Sequence, residues 1–184
     1  MVVVRVPDRN ILIEDPEEAR VYLSRIGIHY ESWKASAPLG DNSTSEEILS
    51  AYSKDIENLK NTGGYNTADV IDMNSSTEGL DAMLEKFNKE HWHDEDEVRF
   101  TLEGRGLFHI NPMDGEVAVV EVSKGDLIRI PKNTLHWFEL CQEKRIRAIR
   151  LFQNKSGWTP YYSGSGLDAR YQPVCMGPAY VKRS

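Results

Sequence analysis

The chain has 184 residues, 29 of them acidic and 22 basic, giving a formal net charge of −7 with histidine neutral. At about 150 residues per domain this predicts one domain, and 40% hydrophobic with 28% charged residues is an ordinary globular composition. The acidic balance argues against a sequence-independent nucleic-acid binder, and no apolar run approaches the roughly 18 residues that span a bilayer.

Residues 1–18 lack a basic region followed by an apolar stretch and a small-residue cleavage site, so no secretory leader is expected. Asp15-Pro16-Glu17-Glu18 then starts a helix, with an Asp N-cap, Pro in the first turn and carboxylates at the positive end of the dipole. Ala19, Tyr22, Leu23 and Ile26 follow at helical spacing, and Gly27 stops it. A second helix is expected from Ser43-Thr44-Ser45-Glu46-Glu47 to Gly63-Gly64, with Ile48, Leu49, Tyr52, Ile56 and Leu59 on one face. A third, Leu80 to Phe87, carries Leu80, Met83, Leu84 and Phe87; all three stripes read as packing faces.

From Glu97 the period changes to two. Segments Glu97–Leu102, Gly106–Ile110, Val117–Val122, Leu127–Pro131, Leu135–Leu140 and Ile146–Phe152 read as short strands separated by turn residues, the pattern of a sandwich or barrel. The fold expected is mainly β, with a helical part over about 1–88, a barrel core over about 89–155 and an irregular tail over 156–184 that wraps the outside. Cys141 and Cys175, far apart and away from any histidine cluster, read as reduced thiols of a cytoplasmic protein.

Chemistry concentrates in residues 90–99. With five histidines in the chain, a His-x-His followed four residues later by Glu arises by chance in roughly one chain in a hundred. On an extended strand His91 and His93 project from one face, and Glu97 can return to them after the turn Asp94-Glu95-Asp96. His136, opening a strand after Gly125 and Pro131, offers a fourth ligand; alone it would read as a rim histidine. Imidazole plus carboxylate suits Fe, Ni, Zn or Mn. His29 and His109 are read as structural.

These residues resemble the two motifs of the cupin superfamily. His91, His93, Glu97 and Gly104 fit the first, with Glu85 where the family has a leading Gly. Gly125, Pro131 and His136 fit the second, with Asn133 in place of Gly and Leu140 in place of Asn. Asn tolerates the left-handed backbone better than most residues.

Within that superfamily the chain is similar to the acireductone dioxygenase family of methionine salvage. The likeness rests on Glu90-His91-x-His93 through Glu97-Val98-Arg99-Phe100 to Glu103-Gly104-x-Gly106-Leu107-Phe108, on Asp126-Leu127-Ile128 through Ile130-Pro131 to His136-Trp137-Phe138, and on Ala148 through Phe152 with Gly157-Trp158. Leu23-x-Arg25-x-Gly27-Ile28 and the segment Gly64-Tyr65 to Asp69-Val70-Ile71 add to it.

The resemblance implies a cupin double-stranded β-helix, a jelly-roll-like barrel. It also implies one Fe(2+) or Ni(2+) per chain on His91, His93, Glu97 and His136, and cleavage of an acireductone with O2. Products would be formate and 4-methylthio-2-oxobutanoate with iron, or formate, carbon monoxide and 3-methylthiopropanoate with nickel. No nucleic-acid, membrane or obligate protein partner is expected.

Positions 97, 99 and 101 share a strand face, which points Arg99 at the metal side, where a buried guanidinium needs an anion. The resemblance gives Arg99 the task of holding the substrate dianion; the structural alternative is a brace on Glu97. Glu90 and Asp96 flank the ligands, and either steer metal entry, couple loop position to the site, or form a solvated turn. Phe100 and Trp158 are candidate pocket walls. A different cupin dioxygenase or isomerase, or a non-catalytic cupin sensor, would keep the same ligands.

Overall fold

A computed structural model of the chain describes residues 2–34, 39–40, 42–154 and 158–176. Its strands are β1 (Val3–Val6), β2 (Ile11–Ile13), β3 (His29–Ser32), β4 (Thr67–Met73), β5 (His91–Trp92), β6 (Glu97–Gly104), β7 (Gly106–Asn111), β8 (Ala118–Val122), β9 (Asp126–Ile130), β10 (Leu135–Leu140), β11 (Ile146–Phe152) and β12 (Tyr161–Tyr162). The helices are α1 (Pro16–Arg25), α2 (Ser45–Ala51), α3 (Ser53–Gly63) and α4 (Leu80–Phe87).

All strand pairs are antiparallel, in two sheets. One has seven strands in the order β12-β5-β10-β7-β8-β1-β2, the other five in the order β3-β9-β6-β11-β4. Alternation drives them together: Phe108, Ile110, Val120, Val122 and Phe138 of the larger sheet share a core with Ile128, Ile130, Ile146 and Ala148 of the smaller. The opposite face of the smaller sheet presents Val98, Phe100, Leu127, Ile149 and Leu151 to Ile48, Tyr52, Ile56 and Leu59 of α2 and α3.

All six strands expected between Glu97 and Phe152 are present within two residues of their predicted ends. The helix starts follow their side chains. Asp15 accepts from the Glu17 and Glu18 amides, each at 2.9 Å, and Thr44 closes a capping box with Glu47. The helix predicted from 43 to 64 is two helices, because Tyr52 leaves the helical region at φ −107°, ψ 14°.

The first half is not a helical shell alone. β1 and β2 extend one end of the larger sheet, and β3 and β4 form both edges of the smaller one. Edge strands face neighbours on one side only, so β4 is partly buried along most of its length and never shows the clean alternation of a half-buried strand.

The cysteine expectation is overturned. Cys141 and Cys175 form a disulfide with Cα atoms 5.8 Å apart, brought together when the tail crosses the outer face of the larger sheet. There Leu167, Tyr171 and Cys175 pack on Leu107, Val119, Trp137 and Cys141. Residues 156–157, Gly157 among them, and 177–184 of the expected tail lie outside the described residues.

Gly104 joins β6 to β7 at φ +77°, and a Cβ there would lie 1.9 Å from the Arg145 carbonyl oxygen. Gly104→Ala should therefore cost at least the about 1–3 kcal/mol of a strained residue. At about 2–4 °C per kcal/mol for a chain of this size, calorimetry should record a clear fall in Tm; an unchanged Tm would refute the argument.

Candidate metal centre

Each histidine of the sequence motif arrives from a strand of the larger sheet. His91 opens β5 and pairs directly with His136 of β10. His93 lies just past β5, its carbonyl tied to the Asn133 amide at 2.8 Å. Asn133 has φ 66°, the left-handed conformation that the family's Gly would adopt. Glu97 begins β6 of the smaller sheet, so the acidic turn carries the chain across from one sheet to the other.

The side chains converge. Ring centroids lie 4.8 Å apart for His91–His93, 4.5 Å for His91–His136 and 5.1 Å for His93–His136. One nitrogen from each of the three falls within 4.8 Å of the others. Each Nδ1 faces a backbone carbonyl: His91 that of Lys89 at 2.6 Å, His93 that of Thr159 at 2.8 Å, His136 that of Thr134 at 2.8 Å. A carbonyl only accepts, so each ring carries a proton on Nδ1 and aims Nε2 inward, where it becomes a metal-binding lone pair once no proton is shared with Glu97. Glu97 Oε2 lies 3.1 Å from His136 Nε2 and 3.3 Å from His93 Nε2.

The electrostatics agree with a cation between them. His91 Nε2 is buried with no hydrogen-bond partner among the described residues. Burial, then the neighbouring His136, pull its pKa down to about 3, so the ring is neutral. Burial alone would raise Glu97; the Arg99 charge and the bonds from His136 and His93 outweigh it and hold Glu97 well below the usual carboxylate range. Three inward Nε2 atoms and one buried carboxylate form a donor set suited to a first-row divalent metal.

Arg99 is buried and donates to Glu97 Oε1 at 2.8 Å. Its guanidinium carbon lies 4.3 Å from the Phe138 ring centroid, 5.1 Å from that of Phe108 and 5.7 Å from that of Trp158, while Nε has no hydrogen-bond partner among the described residues. The brace on Glu97 is thus present, with donor capacity left over. Trp158 stands beside His93 at 6.2 Å, packs on Phe152 at 4.6 Å and donates to the Asp96 carbonyl at 3.2 Å.

Phe100, expected as a pocket wall, faces the other way. Period-two alternation that turns 97, 99 and 101 inward turns Phe100 outward, 5.0 Å from the Trp33 ring and 4.9 Å from that of Tyr52. Glu90 is not part of a solvated turn. It is buried, accepting from Asn111 at 2.8 Å and from Ser163 and Ser165 at 2.6 Å each. Asp96 accepts from Tyr65 at 2.9 Å and the Lys132 amide at 3.0 Å. Both tie loops to the ligands.

The sequence reading missed several neighbours. Arg150 lies opposite Arg99 on β11 and is held by both Asp69 oxygens, at 2.9 and 2.6 Å; its inward place followed from alternation with Ala148. Glu95 is buried, accepting from the Gln153 and Asn154 amides at 2.7 and 3.0 Å. The Thr159 carbonyl that orients His93 comes from the tail, where no periodicity marked it.

Known proteins place this geometry. The ARD/ARD' family model matches residues 8–160. An acireductone dioxygenase of Alcanivorax borkumensis is 46% identical over 155 residues, 83% of each chain, and one of a Picosynechococcus species is 39% identical over 166 residues, 89% of this chain and 93% of the other. A solved acireductone dioxygenase of Bacillus anthracis, described with a cadmium ion in its active centre, superposes with TM-score 0.82 and 37% identity over 88% of this chain and 98% of its own. The two sheets thus form the cupin fold, and the chain belongs to the ARD/ARD' family, the acireductone dioxygenases, metal-dependent enzymes that act on a small molecule and O2.

Proposed function

We propose that His91, His93, Glu97 and His136 hold one Fe(2+) or Ni(2+) per chain, and that the substrate is the enediol 1,2-dihydroxy-3-keto-5-methylthiopentene. With iron the products are formate and 4-methylthio-2-oxobutanoate. With nickel they are formate, carbon monoxide and 3-methylthiopropanoate; both sets balance one substrate and one O2. The ligands serve either ion, and at equal availability the Irving–Williams order favours nickel; we assign iron as the physiological metal. The observation that carries this reading is the convergence of three imidazole Nε2 atoms beside Glu97.

When bound, the ion supplies positive charge that acidifies the enediol and a fixed centre on which substrate and oxygen are oriented. The protein's own part is distinct. The three backbone carbonyls hold the imidazoles in one tautomer. Arg99 keeps Glu97 ionised and offers its remaining donors to the anionic substrate. The Phe138 and Trp158 rings against that guanidinium exclude water and strengthen its field. A cytoplasmic location is proposed on the family's metabolic substrate class, no longer on the cysteines; no helix among the described residues is long and apolar enough to cross a membrane.

The test is elemental analysis of purified protein, followed by anaerobic addition of the enediol, then oxygen, with product identification. Stoichiometric iron or nickel with formate release is expected. Zinc alone, with substrate decaying no faster than in buffer, would favour a structural ion in a closed shell.

A further inference from the structure

Residues 158–176 form a strap that touches the metal centre at one end and ends in the disulfide at the other. Thr159 supplies the carbonyl for His93. β12 pairs Tyr162 with His91 and Tyr161 with Trp92. Ser163 and Ser165 bond the Glu90 carboxylate, the Ser163 amide donates to the Glu90 carbonyl, and Asp168 accepts the Glu90 amide at 3.3 Å. Beyond this the strap crosses the larger sheet, where Tyr171 packs 5.9 Å from Trp137 and Arg5 donates to the Val174 carbonyl.

Most of residues 161–174 are exposed, so the hydrogen bonds that hold the strap compete with water. Among the described residues its covalent fastening is the bond from Cys175 to Cys141, 34 positions away just past β10. Cys141 is buried while Cys175 is partly exposed, which leaves one sulfur open to a reductant. The strap beyond Pro160 also lies outside the span 8–160 matched by the family model.

We propose that the Cys141–Cys175 disulfide is a redox latch on the metal centre: reduction frees the strap, and the backbone that orients His93 and fixes Glu90 beside His91 loosens with it. Carbonyls that orient a metal-bound imidazole are worth 10–100-fold in metal affinity. A latch on the same strap as such a carbonyl, 16 residues along the chain from it, sets how long the ion stays. The consequence for metal rests on the metal-centre reading above, whereas the motion of the strap does not.

The experiment loads the protein with nickel(II) and follows its release to a colorimetric chelator, with amide exchange over residues 159–168 measured in parallel. A trialkylphosphine opens the disulfide; phosphorus takes the oxygen of a water molecule as phosphine oxide, and the sulfurs leave as thiols carrying that water's protons. Reduction should speed both nickel release and strap exchange by on the order of tenfold. The Cys141→Ser and Cys175→Ser variants should behave like reduced protein from the outset and not respond to phosphine.

Unchanged exchange and release on reduction would overturn the latch. So would an equal phosphine response in the serine variants, or free thiols in protein left in air. Failure of the oxidised protein to bind nickel would instead sink the metal-centre reading, with the exchange comparison still deciding the latch.

Discussion

His136→Ala should lose bound metal and, with it, turnover. His136 is the proposed ligand whose removal disturbs the rest most directly. Its Nε2 lies 3.1 Å from Glu97 and its ring 4.5 Å from His91. Losing only an outer partner of a ligand costs about 10–100-fold in metal affinity, so losing the imidazole should exceed that range. Equilibrium dialysis against nickel(II) or iron(II) measures it directly. The strand should survive, since β10 keeps its register with β7 from Leu135 to Leu140 and the apolar Trp137 and Phe138 are untouched. A folded His136→Ala protein with undiminished metal content would remove His136 from the ligand set.

The second large effect belongs to Arg99. Arg99→Gln keeps the strand and a polar head but removes the charge. Metal should be largely retained, because the proposed ligands and their carbonyl partners stay in place and a bound cation itself favours ionised Glu97 once the Arg99 charge is gone. Turnover should fall by on the order of 10²–10³, the loss typical of one preorganised donor to a developing anion. A merely structural brace on Glu97 would show otherwise, as lost metal with residual turnover scaling to occupancy. The two roles separate in metal-normalised kcat: it falls if Arg99 meets substrate and stays constant if Arg99 only supports Glu97. Full metal-normalised activity would end the substrate assignment.

How much of this was legible in the chain differs by element, for physical reasons. The inner strands from Glu97 to Phe152 were readable because each has a core on at least one face and alternates accordingly. The same period correctly sent Glu97 and Arg99 to one side, and would have sent Phe100 to the other had it been applied consistently. The edge strands β2, β3 and β4 were not readable, since half-exposed strands obey packing partners that sequence order conceals, and β1, though inside its sheet, is only four residues long. The convergence of His91, His93 and His136 was legible because two of the three are local in sequence and the third opens a strand after a marked turn. The carbonyl of Thr159, the Glu90–Ser163–Ser165 cluster and the disulfide were not, because each depends on where a tail without periodicity comes to rest.

The crossing of the acidic turn has one more consequence. Two of the proposed ligands stand on the seven-stranded sheet, a third just past its strand β5, and the fourth on the five-stranded sheet, so an ion bound to all four is also a tie between layers. By mass action, free metal at 100 times its dissociation constant adds about 2.7 kcal/mol to the folded state. That energy falls on the separation of the two sheets rather than on either alone. Chelation should therefore loosen the seam between sheets before it frays their interiors.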